Sequence, residues 1–148
     1  MRGFTLLELL VVVAIMAIAT GGVAWSLRDP ADQELAREAQ RLAAVLESGR
    51  AQSRLQGTPV RWVAQTGGFR LEGLAVPEGR TPAWPLAARW LSPDISALDT
   101  AGGNRLLLGP ESILPPQAVV LVWRNQPERQ VRVYSDGLRP FAVQRESR

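Results

Sequence analysis

Hydrophobic and polar positions divide the chain into three regimes. From Phe4 to Leu27 almost every position is apolar, and the only ionisable side chain inside the run is Glu8. The run is 24 residues long. As a helix it would rise about 36 Å at about 1.5 Å per residue, enough to cross a hydrocarbon core of about 30 Å. Gly21-Gly22 interrupts it, either as a local weak point, since a glycine costs about 1 kcal/mol against alanine, or as a packing point between membrane helices. The second regime opens at Asp29-Pro30-Ala31-Asp32, with the pattern of a helix start: an Asp cap, proline in the first turn, and an acid near the positive end of the dipole. A bend of the stem near Pro30 is expected. Leu35, Ala39, Leu42, Leu46 and Gly49 then recur at alternating spacings of four and three, one narrow apolar face of a helix running to about Gln56. Arg37, Glu38, Arg41, Glu47 and Arg54 are expected on the opposite face. Gly57-Thr58-Pro59 ends the helix.

After Pro59 the period shortens to two. Val60–Val63 and Phe69–Leu71 flank Gly67-Gly68 as a hairpin. Residues 75–104 hold Pro77, Pro82, Pro85 and Pro93 among several glycines, the composition of an irregular connection with at most short elements. Strand-like runs resume at Leu106–Leu108, Ala118–Trp123, Gln130–Tyr134 and Phe141–Gln144, with turns at Asn125-Gln126-Pro127 and Ser135-Asp136-Gly137. A long N-terminal helix, half apolar and half amphipathic, packed on an antiparallel sheet is α+β architecture. The expected divisions are a leader at 1–3, a transmembrane helix at 4–27, an amphipathic stem helix at 28–57 and a β-rich globular domain at 58–148. Residues 28–148 suffice for one modest domain with its own core.

Composition removes most chemistry. With no His and no Cys, nucleophilic triads, the usual zinc ligand sets and iron–sulfur clusters are all excluded. We expect no enzyme activity, no cofactor and no small-molecule substrate. Asp94, Asp99 and Asn104 lie in or beside a Gly-rich loop where calcium ligation and ordinary turn hydrogen bonding are both open readings, although their spacing fits no calcium-loop motif. All 17 basic residues are arginine. After residue 27 there are 16 arginines against 13 acids, a net +3 without a run, and such dispersion argues against a nucleic-acid partner. Arg2, the only charge before the apolar run, places the leader in the cytoplasm and everything after Arg28 outside.

Glu8 demands an explanation, because an ionised acid in a membrane span costs about 2.5–3.5 kcal/mol even on lenient scales. Met1-Arg2-Gly3 followed by Phe4-Thr5-Leu6-Leu7-Glu8-Leu9-Leu10-Val11-Val12 resembles the prepilin processing signal of type IV pilins and type II secretion pseudopilins. The resemblance implies that a prepilin peptidase cuts between Gly3 and Phe4, and that the new amine of Phe4 is methylated. It also implies that Glu8, the fifth mature residue, neutralises a neighbouring subunit's terminal amine during assembly. Two simpler readings compete. A secretory signal could be cleaved after Ala17-Ile18-Ala19, but apolarity continues past that site. A plain single-pass anchor leaves Glu8 without a role.

A second resemblance narrows the first. Glu38–Leu46 followed by Ala51-Gln52-Ser53-Arg54 and Gly57-Thr58-Pro59-Val60 is similar to the stem-to-first-strand junction of the GspH/FimT family. So are Gly109–Pro116 leading into Val119–Trp123, and Tyr134-Ser135-Asp136-Gly137 before the last strand. The family implies a minor pseudopilin of the type II secretion system. Such a subunit sits near the tip of the periplasmic pseudopilus and supports export of folded proteins across the outer membrane. The implied partners are the other minor tip subunits, the major pseudopilin, the prepilin peptidase, the inner-membrane assembly platform and the membrane itself. The implied location is the inner membrane, single-pass, with the C-terminal domain in the periplasm. The alternative is a FimT-like minor pilin of a type IV pilus, involved in pilus assembly or DNA uptake, for which Arg139, Arg145 and Arg148 are the candidate contacts. Of the tryptophans, Trp25 suits the membrane interface and Trp62, Trp84, Trp90 and Trp123 the core by default, with Trp84 or Trp90, in the Pro-rich connection, the better candidate for an exposed contact.

Overall fold

The computed structural model describes residues 6–26, 29–75, 79, 85–99 and 103–144, with the side chains of 19–26 and 99 outside the description. Contacts divide the chain into two compact units, Met1–Pro30 and Ala31–Arg148.

The first unit contains α1, Leu6–Ser26. Every described side chain from Leu6 to Ile18 is exposed, and the large apolar ones surround the helix rather than forming a stripe. Among the described residues no helix is long and apolar enough to cross a membrane; the described side chains cover only part of the expected 4–27 run.

The second helix, α2, spans Pro30–Gln56. All five residues of the apolar stripe, Leu35, Ala39, Leu42, Leu46 and Gly49, are buried. The helix ends by a hydrogen-bonding arrangement visible in its composition: Gly57 takes φ of 64° and the Thr58 amide reaches back to the Ser53 carbonyl at 3.3 Å. A left-handed glycine followed by a six-to-one bond satisfies carbonyls that the helix end would otherwise leave open. One expectation for α2 fails: Glu38 lies in the buried set, at 0% exposure, rather than on the solvent face. Its carboxylate accepts from Arg41 Nε at 3.1 Å and from the Leu91 amide at 2.8 Å. These partners replace the water it loses.

Among the described residues, eight strands form two antiparallel four-stranded sheets. The first has order β3-β2-β1-β5, from β1 (Arg61–Gln65), β2 (Gly68–Glu72), β3 (Ala87–Arg89) and β5 (Arg105–Leu107). The second has order β4-β6-β7-β8, from β4 (Ile95–Asp99), β6 (Gln117–Trp123), β7 (Gln126–Ser135) and β8 (Ala142–Gln144). The α+β architecture is as expected, with the strands shared between two sheets instead of one. The 75–104 connection supplies a short strand to each, β3 and β4.

Two turns differ in detail from the expectation. Gly68 belongs to β2, paired with Gln65 and Arg89, and it must be glycine, because a Cβ there would lie 2.2 Å from the Ala88 carbonyl oxygen. Gln126 and Pro127 belong to β7. The β6–β7 register shifts between Val122 and Trp123, so that Gln130 pairs with Val122 and Gln126 with Trp123. Pro127, with no N–H to donate, falls in that interruption of the ladder.

The core joins α2 to both sheets: Leu35, Leu42 and Leu46 cluster with Trp62, Phe69, Leu71 and Leu106 from one sheet and Ile95, Val119, Leu121 and Val133 from the other. Gly49 packs closely against Leu108 and Leu71: a Cβ there would meet Leu108 Cδ1 at 2.8 Å, so the leucine side chain would have to shift.

Candidate functional site

The sequence directs attention first to the N-terminal motif. Gly3 and Phe4 lie outside the described residues. Glu8 sits in the first turn of α1, exposed, where a carboxylate interacts favourably with the helix dipole. Apolar neighbours Leu7, Leu9 and Leu10 are exposed at 73%, 60% and 63%. The arrangement presents a negative charge near the positive end of a helix whose apolar surface is available to lipid or to other subunits.

In the second unit the segments singled out for their order along the chain form one fastening around the end of α2. Arg50, 2% exposed, donates through Nη1 to the Arg139 carbonyl at 3.1 Å and through Nη2 to the Gly137 carbonyl. Glu47 accepts the Phe141 amide at 2.9 Å. Within the turn, Ser135 Oγ donates to the Arg139 carbonyl at 2.7 Å, and Asp136 accepts the amides of Leu138 and Arg139 at 2.9 and 2.7 Å. Those amides, Arg139's first and Leu138's second, hold the Asp136 carboxyl below its ordinary 3.8, and the nearby Arg139 charge adds to the effect. Gly137 takes φ of 88°, and a Cβ on it would overlap the Leu114 carbonyl. The Tyr134-Ser135-Asp136-Gly137 segment and the Gly109–Pro116 segment thus meet: the Leu114 amide reaches the Gly137 carbonyl at 3.5 Å. Their role is to pin the start of the final strand and the loop before β6 against α2.

The other candidates separate. Trp90 is buried at 6% and packs on Phe69, ring centroids 5.3 Å apart, so it is a core residue and not an exposed contact. An apolar indole beside a core aromatic gains more from burial than a surface position offers. Trp62 is fully buried, and Trp123 packs partly buried against the core. Trp84, Arg145, Arg148 and the side chain of Trp25 lie outside the described residues. Arg139 is exposed at 87% and faces Asp136 at 3.7 Å. Asn104 donates its amide to the Ala64 carbonyl at 3.3 Å, while the Asp94 carbonyl accepts from the Arg124 amide across the other sheet. Among the described residues no cluster of three carboxylates could hold a metal.

One surface was not legible as a site in the sequence. In the β3-β2-β1-β5 sheet, Trp62, Phe69, Leu71 and Leu106 face the core, so the alternate positions Arg61, Arg70, Arg89 and Arg105 share the outward face, and all four are exposed. The register sets Arg70 and Arg105 on either side of Val63, and Arg61 between Glu72 and Leu107. The only signal in the sequence is the period of two within each short strand. The arginines come from four separate segments, so no run of charge announces them.

The comparisons with known proteins divide the chain in the same way. The prokaryotic N-terminal methylation motif matches residues 1–24. The family described as Type II transport protein GspH matches residues 38–137. Among solved structures, the fold is similar to the type IV minor pilin FimU of Pseudomonas aeruginosa (strain PAO1) in two crystal forms. One match has 16% identity and a TM-score of 0.55, covering 78% of this chain and 90% of that one. The other has 14% identity and a TM-score of 0.54, covering 75% and 93%. No curated protein matches the chain.

Proposed function

Since the chain belongs to the family of type II transport protein GspH, and so is a minor pseudopilin of type II secretion, we propose how it enters and serves the pseudopilus. The peptidase removes residues 1–3, Phe4 becomes the methylated first residue, and Glu8 pairs with a neighbour's terminal amine as the apolar helix leaves the bilayer. One charge of each sign in lipid is costly, and the neutralised pair is much less so. The subunit sits near the filament tip in the periplasm, anchored singly in the inner membrane until assembly. It takes no part in catalysis and works with the assembly platform to move folded proteins outward.

The observation that carries this reading is the order of two matches on one chain: a methylation motif over residues 1–24 and the GspH family over residues 38–137. The test is intact mass of membrane-extracted protein together with secretion in a deletion strain. The expected result is a chain beginning at Phe4 and carrying one methyl group, with export of folded proteins lost on deletion. A chain beginning at Thr20 would sink the assembly role.

The likeness of fold to a type IV minor pilin is compatible with a second reading, a FimT-like pilus subunit involved in pilus assembly or in DNA binding and uptake. Under that reading deletion would abolish pili and leave secretion intact, and Arg139→Ala would weaken binding to duplex DNA.

A further inference from the structure

We propose that the outward face of the β3-β2-β1-β5 sheet is a docking surface for an acidic patch on a neighbouring pseudopilin subunit. The inference rests on the filament reading above and adds the surface and the chemistry of its partner. All ionisable residues in the four strands lie on this face: Arg61, Arg70, Glu72, Arg89 and Arg105. Four arginines against one glutamate give +3, equal to the formal charge of the entire chain. The other sheet carries Arg129 and Arg132 against Asp99 and Glu128, which cancel. Charge that is dispersed along the chain is therefore concentrated in space on one sheet.

The geometry suits a protein partner. Strands lie about 4.8 Å apart and alternate residues about 6.8 Å apart along a strand. By the register, diagonal neighbours such as Arg61 and Arg70, or Arg61 and Arg105, are then about 8 Å apart at their Cα atoms. The face is a rigid, hydrogen-bonded platform, so little ordering is required of its backbone on binding. Apolar surface lies among the charges: Leu107, 36% exposed, stands beside Arg61 in the register, and exposed Ala87 stands beside Arg70. Arginine is among the residues enriched in protein interfaces. A hollow of about 240 Å³ beside Arg89, floored by Gly68 and edged by Gln65 and Thr66, offers room for a partner side chain.

Nucleic acid fits less well. The two aromatic residues of these strands, Trp62 and Phe69, are both in the core, leaving none on the face for bases to stack on. Arg70 is already paired with Glu72, so few cations remain for phosphates, and duplex affinity depends on many such contacts. A second copy of the chain would set like charge against like if the same faces met.

The test uses the full-length, detergent-extracted protein and, as probes, each of the other pseudopilins of the same secretion system, also full length. Binding of at least one should weaken about tenfold in Arg61→Glu and in Arg105→Glu, because like charge is placed against an acidic surface. Arg105→Gln should lose less. Arg124→Glu, an equal charge change at the exposed β6–β7 turn, should leave affinity within about twofold. All variants should melt as wild type, since the altered side chains are exposed, and affinity should fall as salt rises. Wild-type binding that is insensitive to Arg61 and Arg105, or equally sensitive to Arg124, overturns the docking surface and leaves the filament reading standing. Absence of wild-type binding to every pseudopilin overturns both. Micromolar binding to a 20-base-pair duplex at physiological salt, lost in Arg61→Glu, would overturn the protein partner in favour of nucleic acid.

Discussion

The two helices of this chain spend their apolar residues in opposite ways. On α2 the large side chains, Leu55 in the last turn apart at 81% exposure, gather in one stripe and vanish into the domain: Leu35 is 1% exposed, and Leu42 and Leu46 are 0%. On α1 they lie all around the helix and stay open, with Leu6 at 79% and Ile18 at 76%. A stripe can be satisfied by one neighbour, here the sheets of the same chain, whereas a helix that is apolar on every side requires an environment that surrounds it. For α1 that environment lies beyond the chain, in lipid or in a filament of other subunits. The consequences of mutation should divide accordingly: folding for α2, assembly for α1.

The strongest test of this contrast deletes equal apolar volume from each helix. Leu42→Ala should destabilise the domain by about 2–5 kcal/mol, the range for emptying a packed leucine site. Leu10→Ala, at an exposed position, should change the same unfolding free energy by less than about 0.5 kcal/mol. Tryptophan fluorescence reports the transition directly, because Trp62 and Trp90 are in the core. Equal losses from both would erase the distinction.

Next in size is the polar fastening of α2. Arg50→Ala removes a buried cation and one of the two donors at each of the Gly137 and Arg139 carbonyls, which keep the Leu114 amide and the Ser135 hydroxyl, with an expected cost of about 1–3 kcal/mol. Glu47→Ala should cost less, about 1 kcal/mol, since Glu47 is part-exposed and chiefly accepts the Phe141 amide. Hydrogen exchange should show the added opening at residues 135–144 before the rest of the domain.

Glu8→Ala addresses the other helix. Its expected effect is at least about a tenfold loss of incorporation into filaments, or about 1.4 kcal/mol, with the denaturation midpoint of the domain unchanged. Normal incorporation by this variant would remove the pairing role, and a shifted midpoint would undo the division between the helices.

The smallest expected effect concerns Asp136. Its folded pKa is lowered, by the Arg139 amide first and the Leu138 amide second. Its contribution to stability is therefore fully present above the unfolded value near 3.8, and it is lost as pH falls through the lower folded value. Asp136→Asn should thus melt slightly below wild type at neutral pH, with the gap closing under acid below about pH 4. A gap that persists unchanged there would mean that shape rather than charge holds the turn.

Elements with a local cause were legible in the sequence. The stripe at 35, 39, 42, 46 and 49, the stop at Gly57 and the turn at Ser135-Asp136-Gly137 each come from periodicity or from one residue's backbone freedom, and neighbours in sequence decide both. Family membership was legible for the same reason, because it rests on the order of such segments along the chain. Features that depend on distant partners were settled only by the folded arrangement. Glu38 reads as a solvent-facing charge until the Leu91 amide arrives from 53 positions away, and the sequence leaves Trp90 open between core and exposed contact until its packing on Phe69 decides for the core. The arginine face has no linear signature at all: strand pairing brings Arg61, Arg70, Arg89 and Arg105 together from four separate strands. Periodicity places each on one side of its own strand, but only the register and the packing of α2 on the other side make those sides a single surface.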